Sequence, residues 1–380
     1  MFRYPRSSRS RGQTRWLASA IATSGAVVIT AGVAVAGPSQ AASATAAGPA
    51  TASTGRVACT KRLPYQPPPL GVLKPVLARG SYGRPVPVAR GPRPVCPPGE
   101  VPVVKSLPVT ALRGNGNPDQ ARRRILTSTA AAAAAKPQPG PDGPSCDGTN
   151  EDGACYYWAS ASDVRNDQGG GVTMKIERPA LAGADASSGG DGHSLEEMSV
   201  QAGPGDGNIV EIGSTVVSGD PDPQLFVYHW IDWKETCYNG CGYAQYSNTY
   251  WPGMDLKSIV GQQVYNGYVY YQGRWWAWFN DQWLGSFPGS IWDGQFQESQ
   301  QVQWFGEVAT QNGVPPLDQM GDGLFASNPA AAPMSTLCDV NAAAWRCYYY
   351  NQQTLFQSDA NYYTIQDTGF GSVRLGGPGT

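Results

Sequence analysis

The sequence predicts an all-β fold, a sandwich or a barrel that follows a proline-rich N-terminal segment, and three observations carry that expectation. Gly (47) and Pro (32) are abundant among the 380 residues while charged residues reach only 15%, a composition that disfavours helical bundles and coiled coils. From Cys146 onward, short runs rich in β-branched and aromatic residues (156–161, 171–176, 208–217, 224–232, 264–271, 274–279, 301–308 and 362–366) are separated by Gly, Pro, Asn and Asp. Regularly spaced runs of this kind read as the strands of a sandwich or barrel. The third observation is negative: no stretch carries a helical period, and there is no internal repeat.

Charge divides the chain. Residues 1–150 hold 19 of the 27 basic groups and four acidic ones, a formal +15, whereas residues 151–380 hold 8 basic and 25 acidic groups, a formal -17. Such asymmetry marks a tail or a partner segment, and here each half has the charge to partner the other. Nucleic-acid binding is disfavoured, because the half with folded-domain texture is the acidic one.

Taken in order, residues 3–15 are basic, residues 16–36 apolar, and Ala34-Val35-Ala36 or Ala42-Ser43-Ala44 supplies a small-residue cleavage pattern. This reads as a secretory signal peptide within residues 1–44 and hence a secreted protein. Thr23, Gly25, Thr30 and Gly32 weigh against a retained membrane anchor. Residues 56–108 are rich in Pro, Val, Arg and Lys and are expected to be extended or polyproline-like, burying little. Residues 130–144 join poly-Ala to KPQPGPDGP, an exposed and cleavable linker. The domain division is therefore 1–44, 45–145 and 146–380. Eight cysteines in an exported chain are expected to be oxidised, and sequence neighbours suggest the pairs Cys59/Cys96, Cys146/Cys155, Cys237/Cys241 and Cys338/Cys347. Neither a metal nor a cofactor is expected: Cys237 and Cys241 lack a second ligand pair at zinc spacing, and there are two histidines.

Those histidines limit the chemistry. Nucleophilic hydrolysis needs a base beside the Ser or Cys, yet His193 lies in the loop-like GGDGHS and His229 in the aromatic strand YHWIDW. Asp367-Thr368-Gly369 resembles an aspartic-peptidase tripeptide, but that chemistry needs two aspartates sharing a proton and there is no second copy. Carboxylate pairs remain. Glu211, in NIVEIGSTVV, shares a strand face with Ile209, Gly213 and Val217; Glu307, in QVQWFGEVAT, shares one with Phe305 and follows Gly306, which permits close approach of another group. A solvent-facing strand residue is the plainer reading of each. Glu196 and Glu197 are adjacent, so they point to opposite faces and cannot both enter one cleft.

The segments NIVEIG around Glu211, QLFVYHWID, TCYNGCGYAQ, RWWAWFNDQWLGSFPGSIW, QWFGEV around Glu307, QMGDGLF and the terminal GGPG occur in an order that resembles the neprosin family of secreted glutamic prolyl endopeptidases. The resemblance spans residues 156–380. It implies an antiparallel β-sandwich catalytic domain behind an inhibitory propeptide, catalytic glutamates at Glu211 and Glu307, and cleavage on the carboxyl side of proline, favoured at acidic pH. Ser214, Phe305-Gly306 and Gly285-Ser286-Phe287-Pro288 depart from the family pattern near the expected cleft. Nine of the 12 tryptophans lie between Trp230 and Trp304; Trp230, Trp251 and Trp304 are candidates to line a proline pocket, since a proline ring packs on an aromatic face. The expected partners are proline-containing peptides as substrate and the chain's own propeptide as inhibitor, with the protein a monomer, off the membrane after signal removal. A carbohydrate-binding sandwich and a paired-carboxylate glycosidase are the alternatives.

Overall fold

The computed structural model describes residues 57–69, 96–104 and 155–379, apart from 188–191, 204–205, 235, 237, 312–315, 342–345 and 350–353. The expected signal segment and the KPQPGPDGP linker lie outside these residues. The strands, in chain order, are β1 (Val57–Lys61), β2 (Glu100–Val104), β3 (Cys155–Asp167), β4 (Gly169–Lys175), β5 (His193–Gln201), β6 (Ile209–Val217), β7 (Asp220–Trp230), β8 (Ala244–Gln245) and β9 (Gln263–Tyr271). They continue with β10 (Arg274–Phe279), β11 (Gln282–Pro288), β12 (Ser299–Thr310), β13 (Ala332–Asn341), β14 (Arg346–Tyr349), β15 (Thr354–Gln357), β16 (Thr364–Asp367) and β17 (Val373–Gly376).

Every named pairing is antiparallel. A six-stranded sheet runs β15-β3-β12-β5-β6-β7, and a nine-stranded sheet runs β16-β17-β13-β4-β9-β10-β11-β8, with β14 beside β13. The two sheets enclose the main core: Tyr157, Met198, Ile212, Val227 and Trp304 from the smaller meet Met174, Val264, Tyr268, Trp275 and Phe287 from the larger. The fold is therefore the antiparallel β-sandwich expected. Each such side chain contributes about 1.5–3 kcal/mol by leaving water. Local signals close the meander: Gln272 and Gly273, both with positive φ (48° and 77°), form the tight turn that joins β9 to β10, the geometry whose twist matches that of paired strands.

The N-terminal arm corrects one expectation. Residues 57–61 and 100–104 pair as a two-stranded antiparallel ribbon, stapled by Cys59–Cys96, so these parts of the segment are more ordered than a polyproline run. It also buries Val101 and Pro68. Residues 62–69 do continue without a strand partner.

Of the four expected cysteine pairs, Cys59–Cys96 is thus the one whose two members are both described. Cys155, Cys241 and Cys338 are disulfide-bonded too, but their expected partners Cys146 and Cys237 lie outside the described residues, and so does the side chain of Cys347. The backbone still places Cys347. It lies on β14 opposite Val340, whereas Cys338 lies on β13 opposite Tyr349. Cys338 and Cys347 therefore lie on adjacent strands, two positions apart in register.

Among the described strands, β1, β2, β5, β8, β11, β13, β14, β15 and β17 lie outside the eight segments read from the sequence. Every residue of β5 is buried, charged Glu196 and Glu197 included, so it shows no alternation between apolar and solvated positions.

Candidate active site

Alternation decides what the outer face of the smaller sheet carries. Along β12, Val302, Trp304 and Val308 enter the core, so Phe305, Glu307 and Ala309 face the other way. On β5, Met198 and Val200 go inward, leaving His193, Leu195, Glu197 and Ser199 outside. On β6, Val210 and Ile212 go inward, leaving Ile209, Glu211 and Gly213 outside. Both sequence-predicted glutamates thus share one face.

Register brings a third carboxylate between them. Glu307 lies opposite Leu195, Glu197 opposite both Phe305 and Gly213, and Glu211 opposite Ser199 and Tyr228. Glu197 is therefore the diagonal neighbour of Glu307 on one side and of Glu211 on the other, at the diagonal separation of about 7–8 Å that long side chains span. The rule that Glu196 and Glu197 face opposite ways holds, yet one of them does join the site. Glu196 points away, and its carboxyl is held well above the usual range by burial and then by Glu177 and Asp322.

Glu307 is held at both oxygens. The Trp158 indole N–H donates to Oε2, from the position directly across β3, and His193 Nε2 lies 3.1 Å from Oε1. An indole nitrogen can only donate, so that contact fixes one oxygen as an acceptor. Solvent barely reaches the group: Glu307, Glu211 and Glu197 are 6%, 3% and 1% exposed. His193, expected in a loop, instead opens β5 and forms the Glu307 contact.

Aromatic residues wall the face. Tyr156, Trp158, Phe226, Tyr228, Trp230 and Phe305 form one buried cluster, with half-buried Tyr238 packed on it 4.7 Å from the Tyr228 ring and 5.5 Å from the Phe226 ring. The Tyr238 phenol is pushed well above its ordinary pKa by burial first, then by Glu307, Tyr228, Glu197 and Glu211. It stays a neutral hydroxyl beside the carboxylates. The sequence hint to Tyr238 was its position between Cys237 and Cys241, the latter disulfide-bonded.

The predicted tryptophans separate. Trp230 is on this face, in the aromatic cluster. Trp251 is buried in the connection after β8, where its carbonyl accepts the Met254 N–H. Trp304 is a correction: its even-numbered neighbours on β12 face inward, and it lies in the core with its indole N–H donating to the Gly171 carbonyl at 3.1 Å. His229 packs on Phe287 and Trp292, and burial lowers its pKa to about 4. Asp367 is exposed and accepts the Gly369 N–H, making its tripeptide an ordinary turn. A cavity of about 370 Å³, lined by Arg178, Leu181, Asp185, Val217 and Asp220, lies at the β6–β7 end rather than over the glutamates.

Among solved structures, the fold is similar to a scytalido-glutamic peptidase in complex with a transition-state analogue, at 12% identity, covering 58% of this chain and 98% of that one with a TM-score of 0.39. It is similar to SCP-B of the eqolisin peptidases at 10% identity, with the same coverage and a TM-score of 0.35. A Bacillus licheniformis β-glucanase matches at 13% identity over 42% of this chain and 67% of that one, with a TM-score of 0.25. The sequence itself is more specific: residues 190–378, which include Glu197, Glu211 and Glu307, match the Neprosin family, and the chain belongs to that family through this domain.

Proposed function

We propose that the protein is a secreted glutamic endopeptidase that cleaves on the carboxyl side of proline and is made as a latent precursor. Family membership supports a peptidase. The observation that carries the chemistry is the placing of Glu211 and Glu307 on one aromatic face, with the Trp158 indole N–H donating to one Glu307 oxygen and His193 Nε2 lying 3.1 Å from the other. A donated hydrogen bond such as that from Trp158 favours an ionised carboxylate, and on this reading Glu307 takes the part of base.

Glu307 takes a proton from water as the oxygen attacks the scissile carbonyl. Glu211, protonated, polarises the carbonyl oxygen and then gives its proton to the departing nitrogen. The C–N bond breaks without an acyl-enzyme. Tyr228, Trp230 and Trp158 offer faces for the proline ring.

Latency is supported by the opposite charge of the two parts of the chain, a formal +15 over residues 1–150 and -17 over residues 151–380. The division proposed is a signal peptide in residues 1–44, a propeptide in 45–145 and the catalytic domain beyond. Near pH 3–4, carboxylates approach their reference pKa while every Arg and Lys keeps its charge. Attraction between the +15 and -17 parts then weakens, and residues 136–144 become open to cleavage.

The test is incubation of acid-treated protein with a proline-containing peptide, with Glu211→Gln and Glu307→Gln as controls. Cleavage after proline by the wild type alone is expected. Undiminished cleavage by either variant removes that residue from the mechanism, and an inactive wild type favours a carbohydrate-binding sandwich.

A further inference from the structure

The outer face of the larger sheet, on the other side of the sandwich from the glutamates, is also aromatic. Trp276 and Trp278 of β10, Trp283 of β11 and Tyr265 of β9 form a separate buried cluster, with Tyr246 and Tyr271 packed at its margin. Alternation accounts for it: Trp275, Ala277 and Phe279 enter the core, which turns Arg274, Trp276 and Trp278 outward. A solvated sheet face has no use for three tryptophans, so the question is what they hold.

Part of the answer is the chain itself. The segment that leaves β1, Arg62-Leu63-Pro64-Tyr65-Gln66-Pro67-Pro68-Pro69, runs over this face within the same compact unit. The Trp283 indole N–H donates to the Pro68 carbonyl at 3.0 Å, and Pro68 is buried. The Arg274 guanidinium lies 4.0 Å from the Tyr65 ring centroid. Arg274 is itself 7% exposed and is held in place by Ser286, whose hydroxyl accepts from Nε at 2.7 Å. Arg62 approaches the Tyr246 ring at 5.1 Å.

These contacts use a recurrent kind of chemistry. A polyproline helix has no internal hydrogen bonds and leaves its carbonyls free; aromatic-lined grooves bind such segments by ring packing, and here an indole donor takes a carbonyl. One donor on the face is still unused: Trp276 Nε1 is buried with no hydrogen-bond partner among the described residues. A buried donor left unmade is costly unless something answers it.

We infer that the outer face of the larger sheet is a binding groove for proline-rich peptide in the polyproline conformation, filled in the full chain by its own residues 65–69. Once those residues are removed, the groove takes a proline-rich stretch of another polypeptide, away from the catalytic face. Its use in tethering a substrate rests on the prolyl-endopeptidase reading, but binding by the groove does not. Two points of attachment raise the effective concentration of a long proline-rich substrate at the glutamates, an advantage a short peptide lacks.

The test uses the full chain carrying Glu307→Gln, so that cleavage does not enter, and a fluorescein-labelled peptide of sequence PYQPPPLG read by anisotropy. A chain with Tyr65→Ser, Pro67→Ser and Pro68→Ser has its groove emptied by changes confined to the arm. It is expected to bind the peptide at least about tenfold tighter than the chain whose own segment is in place. Tyr65→Ser alone gives an intermediate gain and serves if the triple variant is poorly folded. In the emptied chain, Trp283→Phe keeps the ring but removes the donor and weakens binding about tenfold, as does replacing the three consecutive peptide prolines by alanine. Equal binding by the emptied and filled chains overturns the inference, and so does equal binding of the alanine peptide, which would mark a generally apolar surface. Failure of the catalytic reading shows separately, as an inactive wild type in the cleavage assay.

Discussion

Glu197 and Gly213 face each other across β5 and β6, and a methyl group added at 213 would come within 2.6 Å of the Glu197 Cβ and 2.2 Å of the Glu196 carbonyl oxygen. The absent side chain is what lets the middle carboxylate lie between Glu211 and Glu307. Gly213→Ala should therefore cost about 1–3 kcal/mol, the range for overpacking, and displace the carboxylate cluster. Thermal unfolding together with peptide hydrolysis checks this: the melting temperature should fall, and kcat should fall with it. An unchanged rate would mean that the position of Glu197 does not matter to the reaction.

Trp158 and His193 position Glu307 through its two oxygens. Trp158→Phe keeps the ring and loses the donor; His193→Gln tests the other oxygen. Either should lower kcat by up to about 100-fold, the scale of a small misplacement of a reacting group, while KM and the melting temperature change little. A loss confined to KM would move these residues from orienting Glu307 to binding substrate.

Buried carboxyls set the pH dependence of stability. Asp318 is pushed up to about 6 and Glu196 well above its ordinary value, in both cases chiefly by burial; Glu177 and Asp167 are raised for the same first reason. A group whose folded pKa exceeds its unfolded value adds stability that is fully present below the unfolded pKa, near 4, and lost as pH rises through the folded one. His229, lowered to about 4 by burial, acts oppositely: its contribution is lost as pH falls from about 6.5 through 4. Between pH 4.5 and 7.5 the carboxyls outnumber it, so the melting temperature should be higher at pH 4.5. Asp318→Asn should reduce that difference.

Cys59–Cys96 closes a loop of sequence separation 37. By the chain-entropy relation such a closure is worth about 4 kcal/mol, and it acts on the arm rather than on the sandwich. The double variant Cys59→Ser/Cys96→Ser should expose residues 57–104 to limited proteolysis while the 155–379 fragment stays resistant, as read by mass spectrometry of the digest.

Trp304 and Trp230 should differ in kind. Trp304, fully buried between the sheets, should cost about 3–5 kcal/mol on truncation to Ala. Trp230, on the glutamate face, should chiefly raise KM for proline peptides. Matching effects on stability would return Trp230 to a purely structural part.

The sequence alone determined the all-β class, eight strand segments, the faces of Glu211 and Glu307 and the Cys59–Cys96 pair, because these follow from period-two alternation, turn residues and nearness along the chain. Strand β5 was illegible: burial on both faces removes the apolar–polar alternation that marks a strand. Its loss hid Glu197 and His193, which reach the site only through cross-strand register, a relation between residues such as Glu307 and Leu195 more than 100 positions apart. Register likewise set Cys347 opposite Val340 rather than opposite Cys338, which nearness along the chain does not reveal. Inward or outward facing of Trp304, and the seating of Pro68 against Trp283 from 215 positions away, were also decided by tertiary structure. Composition can count tryptophans and prolines, but only the stacking of two sheets and the path of the arm determine which of them meet.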